Sequence, residues 1–402
     1  RGCGGGSCGL RALAPRADEG DEGVLDAGGV DVGGGVRLGQ RAGGVGGDDL
    51  AALHDGDAAA IMRWANQQRD LAATTVTGRL NCIRKLAERA EQPLTEIESP
   101  DVVYELLGSF ADGSHPDVKD DGLADGSLRQ YRQAARLFFR DALDREWGED
   151  IEIGQPDTSP VSPYQILTSE EIDALLEACT TPRDAAAIAF LTVTGQRITA
   201  TLSIRVGDVE FEDRTATVHL NDDAVGLKGA SGPRPLLWSR SYIASWLNVH
   251  PRRGDPAAPL FCTTQGGQRP TESGEIIEWA AGDPLSRHQL QTRIRKVAER
   301  AGVPRGKVKM HNFRHTAITR MRNQGTPDDR IRFMVGVAAE SDILERYDHA
   351  DNQQMMARIR EAHGIADEGD LDVGQPSTRP CGSCDTQLRG SARFCPKCGA
   401  PQ

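Results

Sequence analysis

Aromatic residues are scarce in this chain of 402 residues, since Phe, Trp and Tyr together make up 5% of it. The chain also has no apolar run long enough to span the hydrocarbon core of a bilayer, which takes about 20 residues. No basic segment followed by an apolar one opens the chain, as a secretory signal would. We therefore expect a soluble, cytoplasmic protein and not an integral membrane protein.

An excess of positive charge is missing as well. The chain carries 59 Asp and Glu against 47 Lys and Arg, for a formal net charge of -12. A protein that coats nucleic acid without specificity is normally basic, so the charge disfavours that class. Few Lys and many Arg on an acidic chain are typical of a halophilic, GC-rich source, and the composition resembles that of a halophilic archaeon.

One segment, residues 281–322, is basic in spite of the overall charge and contains only Asp283 and Glu299 as carboxylates. Duplex DNA presents a dense line of phosphates, so a basic segment could supply the part of binding that does not depend on base sequence. The alternative is a solvated helix face without a ligand. The candidate DNA-contacting residues are Arg287, Arg293, Arg295, Lys296, Lys307 and Lys309.

The first part of the chain, residues 1–55, differs from the rest. Gly, Ala, Val, Asp and Arg dominate it, without a helical or an alternating apolar period. Such a segment cannot bury enough apolar surface to offset its ordering entropy. We expect it to be disordered, or to be a mis-extended reading of GC-rich DNA, and we expect Cys3 and Cys8 to be incidental.

Residues 57–150 have a helical pattern. Apolar residues recur there at three- and four-residue spacing, which predicts amphipathic helices. A later stripe is introduced by Gly126-Ser127, which we interpret as a helix cap. We expect this stripe to be core and not a surface on which bases stack. Its members are Leu128, Tyr131, Ala135, Phe138 and Phe139.

Residues 151–164 contain three Pro and no period, so we interpret them as a linker. A capping box at residues 168–171 then predicts the start of a helix, and an apolar run at 184–193 predicts a buried one. Three strands are expected at 206–211, 215–220 and 235–238, and further helices at 285–301, 310–323 and 327–334. This pattern predicts a mainly α fold with a small antiparallel β-sheet.

Five residues in the second half of the chain carry groups that fit phosphate chemistry. Arg197 and Arg314 offer permanently charged planar forks that match two phosphate oxygens. His311 stands three residues before Arg314 on a predicted helix, so both can face one site. Lys228 lies in a Gly-containing turn. The hydroxyl of Tyr347 is a weak nucleophile at its ordinary pKa of about 10 and would need nearby cationic donors.

Each of these residues alone has an ordinary alternative as a surface Arg or Lys, a core His or a packed Tyr. Their order and separation resemble the catalytic residues of the tyrosine recombinases, the phage-integrase family of DNA strand-exchange enzymes. The resemblance implies a helical, SAM-like core-binding domain at 57–150 and an α+β catalytic domain at 165–362. It also implies double-stranded DNA with specific recombination sites as the partner, and self-association as a tetramer on paired sites.

In that family, DNA is cut and rejoined by transesterification without metal or ATP in the chemical step. The resemblance implies that Tyr347 forms a 3′-phosphotyrosyl link while Arg197 and Arg314 hold the phosphate. It implies further that Lys228 protonates the 5′ oxygen. His311 would donate to the phosphate or help to move the tyrosine proton.

Two positions depart from the family pattern. Gly336 is followed by Val337, where the family usually has His or Trp, and Ala200 stands where Glu is common. Val337 can pack against the tyrosine but cannot donate to a phosphate oxygen, which would slow the reaction without changing its kind. His349 is a candidate auxiliary donor. We expect His315 to pack or to contact the backbone, without a chemical step.

Four cysteines near the end of the chain form two C-x-x-C pairs. Residues 363–379, acidic and rich in Gly and Pro, are interpreted as a linker before this segment, residues 380–402. Four thiolates in tight turns predict a structural Zn²⁺ site with no open position, and the pattern resembles a small zinc ribbon. Disulfides are the alternative, which an intracellular enzyme disfavours. The predicted ligands are Cys381, Cys384, Cys395 and Cys398.

Two other functions stay open. The first is a catalytically weakened DNA-binding regulator on the same fold, which Val337 and Ala200 make conceivable. The second is a type IB-like topoisomerase, which shares the chemistry but would relax any supercoiled DNA without needing a particular site.

Overall fold

The computed structural model describes residues 50, 52–68, 70–155, 159, 161–212, 215–220, 231–270, 276–338, 341–347, 378–384, 387–389, 395 and 400–401. These residues form two compact units, one before Ser159 and one from Ser159 onward. Residues 1–49 of the segment 1–55 that was expected to be disordered, together with Lys228, His349 and Cys398, lie outside the described residues. The expectation is wrong for the end of that segment, since Leu50 and Leu53 are buried in the core of the first unit. Within the described part of the chain, no helix has the length and apolarity to cross a membrane.

The first unit is helical. Its core contains the predicted apolar stripe, since Leu128, Tyr131, Ala135, Phe138 and Phe139 are all buried. The rings of Trp64 and Phe138 pack edge to face, with centroids 5.4 Å apart. The helices are α1 (Asp55–Gln67), α2 (Ala73–Arg89), α3 (Pro100–Ala111) and α4 (Asp125–Asp141).

The predicted cap at Gly126-Ser127 is wrong. The fourth helix begins at Asp125 after Ala124, and no side chain caps it. Asp125 supplies instead a negative charge to the first turn, where it favours the positive end of the helix dipole.

A buried carboxylate joins α1 to the segment after α2. The oxygens of Asp57 accept hydrogen bonds from the backbone N–H groups of Leu94 and Thr95, both at 2.9 Å, and from the Thr95 hydroxyl at 3.0 Å. Asp57 is 1% exposed, so these three bonds are what replaces its hydration.

The second unit is mainly helical with short antiparallel strands. Its helices are α5 (Ser169–Glu177), α6 (Pro182–Thr194), α7 (Ile198–Ser203), α8 (Arg240–Asn248), α9 (Arg287–Ala301), α10 (Met310–Asn323) and α11 (Asp328–Val335). Its strands are β1 (Val209–Phe211), β2 (Ala216–Leu220), β3 (Gly232–Pro235), β4 (Gly267–Pro270) and β5 (Ile276–Trp279).

Local sequence explains several of these elements. Thr168 and Glu171 form the predicted capping box at the start of α5. The residues of α6 from Ala186 to Thr194 are buried, as its nearly uniform apolar pattern predicts. From Asn312 to Arg322, every residue of α10 is buried as well. The packed pair of α6 and α10 therefore forms the centre of this unit, and α10 carries polar side chains into it.

The three-stranded sheet has the order β1-β2-β3 and is antiparallel throughout. Ala216, Val218 and Leu220 are buried on one face of β2, as period-two alternation requires. The third strand lies at Gly232–Pro235 and not at 235–238, because Leu237 has a positive φ of 44° and starts a 3₁₀ turn, Leu237–Ser239. The β4–β5 hairpin was not predicted.

The buried carboxylate generates a prediction about stability. Replacing Asp57 by Ala leaves two backbone N–H groups and one hydroxyl without their acceptor, and we expect the free energy of unfolding of the first unit to fall by about 3 kcal/mol. Urea unfolding monitored by circular dichroism would measure it. Asp70→Ala, at an exposed carboxylate, is the matched control and should change it by less than about 0.5 kcal/mol. An equal effect of both variants would contradict this account.

Candidate active site

A glycine turn places the first candidate arginine. Helix α6 ends at Gly195, which has a left-handed φ of 59°. A Cβ at this position would lie 2.9 Å from Cβ of Ala317 and 3.0 Å from Cγ1 of Val335, so only Gly allows α6 to end against α10 and α11. The chain then turns into α7, and Arg197 stands just before the first residue of that helix.

Arg197 and Arg314 hold the backbone of the same segments. Nη1 of Arg197 donates to the Gly336 carbonyl at 2.8 Å. Nη1 of Arg314 donates to the Gly195 carbonyl at 2.9 Å and also to the Val335 carbonyl. The sequence-predicted arginines, 117 positions apart in the chain, therefore converge where α6 ends and α11 ends.

Arg314 keeps hydrogen-bonding capacity in a buried position. It is 1% exposed, and its Nε and Nη2 have no hydrogen-bond partner among the described residues. Burial, and then the charge of Arg197, lowers the pKa of Arg314 to about 10, so it remains charged at neutral pH. Burial also lowers the pKa of Arg197. Two neighbouring cations, of which Arg314 has two donors without a partner among the described residues, fit an anion that accepts several hydrogen bonds.

A third arginine holds the end of α6. Nη1 of Arg320 donates to the Thr192 carbonyl at 2.8 Å and Nη2 donates to the Val193 carbonyl at 3.0 Å. These carbonyls belong to the last turn of a helix, where no intrahelical donor is available. Arg320 thereby stabilises the turn that positions Arg197.

Two histidines and the tyrosine form a contact chain beside the arginines. The rings of His311 and His315 meet edge to face, with centroids 4.6 Å apart. Nδ1 of His315 lies 2.5 Å from the hydroxyl oxygen of Tyr347. Tyr347 is 2% exposed and ends a 3₁₀ turn, Asp342–Tyr347, while His311 is exposed.

The protein surroundings favour the uncharged forms of Tyr347, His315 and His311. Burial raises the pKa of the Tyr347 hydroxyl, and the charges of Arg314, Arg346 and Arg322 oppose that rise without cancelling it. Burial, followed by the charges of His311, Arg346 and Arg314, lowers the pKa of His315 to about 3. Although the side chain of His311 reaches solvent, partial desolvation of its ring, followed by the charges of the neighbouring arginines, lowers its pKa too. The net charge of the site is therefore positive.

The sequence prediction for His315 is incomplete. It gave this residue no chemical step, whereas the structure puts its ring on the hydroxyl of the candidate nucleophile. A signal was present, because His315 follows His311 by four residues on one helix and so shares its face. No local pattern distinguishes which of the two histidines reaches the tyrosine.

The two departures from the family pattern have packing roles. Val337 packs, as expected, against the apolar cluster that contains Tyr347. Ala200 is 1% exposed on α7 and belongs to the core of the second unit. Neither side chain can donate a hydrogen bond to an anion.

The predicted DNA-contacting residues differ in their surroundings. Arg287, Lys296 and Lys309 are exposed, whereas Arg293, Arg295 and Lys307 are partly buried. Nζ of Lys307 lies 2.7 Å from both carboxylate oxygens of Glu171. This ion pair ties Lys307 to α5, so its charge is already paired within the protein.

Three of the four predicted zinc ligands come together. The sulfur atoms of Cys381, Cys384 and Cys395 lie within 4.8 Å of one another, and those of Cys384 and Cys395 are 3.6 Å apart. A tetrahedral Zn²⁺ site with Zn–S bonds of about 2.3 Å has sulfurs roughly 3.8 Å apart. The three thiols are free of disulfides, and two short paired strands, β6 (Thr378–Pro380) and β7 (Gln387–Arg389), adjoin Cys381 and Cys384. They could bind a metal ion.

Comparison with known proteins identifies the second unit. The model of the phage integrase family matches residues 165–354. These residues are a phage integrase domain. The chain is 26% identical over 180 residues to the tyrosine recombinase XerC of Bifidobacterium longum strain DJO10A, a match that covers 45% of this chain and 47% of the relative. XerC of B. longum subsp. infantis is 25% identical over 180 residues with the same coverage. The chain thus spans about half the length of the curated relatives it matches.

Solved structures share the fold. The Tn1549 transposon integrase in complex with transposon right end DNA has a TM-score of 0.52 at 17% identity, with coverage of 76% of this chain and 98% of that chain. A lambda integrase dimer bound to a COC′ core site has a TM-score of 0.51 at 13% identity, with coverage of 72% and 76%. The predicted likeness to the tyrosine recombinases and the predicted fold class, mainly α with small antiparallel sheets, are confirmed.

The buried histidine of the phage integrase domain generates a pH prediction. The folded-state pKa of His315, about 3, lies below its unfolded value of about 6.5, so the unfolded chain binds the extra proton as the pH falls below 6.5. We expect this proton uptake to lower the free energy of unfolding by about 1 kcal/mol as the pH falls from 7 to 5.5. Urea unfolding at both pH values should show a smaller loss in His315→Asn than in the unchanged protein. His288→Asn, at an exposed position on α9, should lose as much as the unchanged protein. Equal losses in all three proteins would contradict this assignment.

Proposed function

We propose that this protein is a site-specific DNA recombinase or integrase that cuts and rejoins DNA through a covalent 3′-phosphotyrosyl intermediate. One observation carries the proposal. A buried arginine, Arg314, whose Nε and Nη2 have no hydrogen-bond partner among the described residues, lies beside a second arginine and exerts its charge on the hydroxyl of Tyr347. A nucleophile and paired guanidinium donors are what transesterification at a phosphodiester requires, without metal or ATP in the chemical step.

Each side chain has a role in this proposal. Arg197 and Arg314 hold the nonbridging phosphate oxygens, and Tyr347 attacks the phosphorus. Lys228 protonates the 5′ oxygen that leaves, and His311 donates to the phosphate. Both arginines converge on the end of α11, which supports their common role of holding the phosphate. Val337 offers no donor, so the reaction should be slower than in a site with His or Trp there.

The proposed partner is double-stranded DNA at specific recombination sites, and the proposed working form is a tetramer on paired sites. We assign the helical unit, residues 57–150, to a core-binding role and residues 165–362 to catalysis, joined by a linker at 151–164. The exposed positive charges of Arg287, Lys296 and Lys309 support phosphate contacts by the catalytic domain. An enzyme of this kind would act in the cytoplasm.

We further propose that residues 380–402, after a linker at 363–379, form a zinc ribbon. Cys381, Cys384 and Cys395 supply three thiolates and Cys398 supplies the fourth. The support is the sulfur cluster, with its short Cys384–Cys395 distance and no disulfide among the three. The metal would be structural, because four protein ligands leave no position for a substrate.

The rival is a DNA-binding regulator on the same fold. The observation that favours it is Val337, which leaves the site one donor short of the family pattern. Such a protein would bind its site and leave the DNA intact.

A suicide duplex separates these functions. Nicked duplexes from the DNA flanking the gene should yield a denaturant-resistant protein–DNA adduct, because the nicked strand diffuses away and traps the intermediate. The adduct, followed on denaturing gels, should vanish in Tyr347→Phe and persist in the matched control Tyr164→Phe, whose ring is exposed. Sequence-specific binding without an adduct would instead support the regulator.

Elemental analysis tests the zinc ribbon. The purified protein should contain about one zinc per chain. Cys381→Ser should lose the metal and lower the melting temperature of the last segment. Cys179→Ser should keep it, since a serine hydroxyl can still donate to the Leu175 carbonyl that the thiol contacts at 3.2 Å. Zinc-free protein, or zinc retained by Cys381→Ser, would be incompatible with the site.

A further inference from the structure

The hydroxyl of Tyr347 has a histidine partner that the proposed function does not use. Nδ1 of His315 lies 2.5 Å from that oxygen, and the two ring centroids are 5.7 Å apart. Both side chains are buried, at 4% exposed for His315 and 2% for Tyr347. His311, for which the family resemblance implies either donation to the phosphate or help in moving the tyrosine proton, contacts the ring of His315.

The direction of this hydrogen bond follows from the chemistry of the two groups. At neutral pH the phenol carries its hydrogen, so Tyr347 donates and Nδ1 of His315 accepts. The imidazole must then be neutral with its own hydrogen on Nε2. A nucleophile that donates to an unprotonated histidine is the arrangement on which general base catalysis depends.

This inference rests on the proposed function and completes its first step. We propose that His315 is the proton acceptor for Tyr347 in DNA cleavage. The O–H bond of Tyr347 breaks and its proton passes to Nδ1 of His315 while the phenolic oxygen bonds to phosphorus. The bond between phosphorus and the 5′ oxygen breaks, and that oxygen takes a proton from the general acid. In rejoining, the imidazolium returns its proton to the departing phenolic oxygen.

The charges around His315 make this transfer depend on DNA. His311 and Arg314 act on it from α10, and Arg346 and Tyr347 act from the 3₁₀ turn. Without substrate, the positive groups oppose another positive charge on the imidazole. A phosphodiester held by Arg314 would offset them, so His315 becomes a competent base when the substrate is bound. The free protein would then keep its nucleophile protonated and unreactive.

Single-turnover cleavage of the nicked suicide duplex tests the proton transfer. Oδ1 of Asn can occupy the position of Nδ1 and accept the hydrogen bond, but it cannot take up the proton. We expect His315→Asn to bind the duplex as tightly as the unchanged protein and to form the adduct about 100-fold more slowly at neutral pH. His54→Asn, in the first unit, is the matched control and should keep the full rate, because Asn also caps a helix well.

Two further readouts separate proton transfer from mere positioning. The rate of His315→Asn should rise about tenfold per pH unit, because hydroxide must now remove the phenolic proton, whereas the unchanged protein should level off. A ring-fluorinated tyrosine at position 347, a stronger acid, should restore much of the rate in the Asn variant. Where that variant does not fold, His315→Ala with added imidazole replaces it, and imidazole should accelerate cleavage.

Several results would overturn the inference. Cleavage by His315→Asn at the unchanged rate would show that an acceptor of hydrogen bonds is enough. A parallel pH profile in both proteins, or no gain from the fluorinated tyrosine, would exclude His315 as the base, and so would an Ala variant that imidazole does not accelerate. If the unchanged protein forms no adduct that depends on Tyr347, the proposed function itself fails, and this outcome is distinguishable from the others.

Discussion

The site depends on two guanidinium groups that tie backbone segments together from a buried position. Arg314 joins the Gly195 turn to the end of α11, and Arg197 adds a bond to the Gly336 carbonyl. A buried cation is costly unless its hydrogen-bonding groups are satisfied, and carbonyls satisfy only part of the capacity of Arg314. Its Nε and Nη2 stay without a partner in the described part of the chain. The same groups that stabilise the local fold therefore leave donors for an anion.

Helix α10 carries several of the side chains of the site and holds them in fixed positions. Most of its residues are buried, so its side chains have little freedom to reorient. It supplies Arg314 for the Gly195 turn and for the proposed phosphate contact, His315 for the tyrosine hydroxyl and Arg320 for the end of α6. Placing these groups on one packed helix fixes their separations, which catalytic geometry requires. The proposed chemistry is thus concentrated on an element that packing already holds in place.

Burial and the neighbouring positive charges shift the pKa of the Tyr347 hydroxyl in opposite directions. Burial disfavours the phenolate, whereas the nearby arginines favour it. The outcome is a hydroxyl that stays protonated in the free protein although it lies among cations. In the proposed reaction, this hydroxyl needs a base whose strength increases when the substrate binds, and we propose that the neutral His315 in contact with it is that base.

Much of the fold could be predicted from periodicity and capping. The capping box at Thr168, the buried run of α6 and the apolar stripe of α4 all match the structure. The third strand was misplaced, because its position depends on a pairing with β2 and on the positive φ of Leu237, which no local pattern encodes. Lys307 was predicted to contact DNA, whereas in the structure it forms an ion pair with Glu171, 136 positions earlier in the chain.

For the candidate site, the amino-acid sequence was enough to name the chemical groups and their order along the chain. The order and separation of these arginines, histidines and tyrosine resemble those of the catalytic residues of the tyrosine recombinases. Which histidine reaches the tyrosine, and which nitrogens of Arg314 lack a partner among the described residues, became known from the folded structure. A hydrogen bond depends on atomic positions to within a fraction of an ångström, and no sequence pattern specifies positions so closely. His315 and Tyr347 are 32 positions apart, so their distance is set by how α10 packs against the 3₁₀ turn.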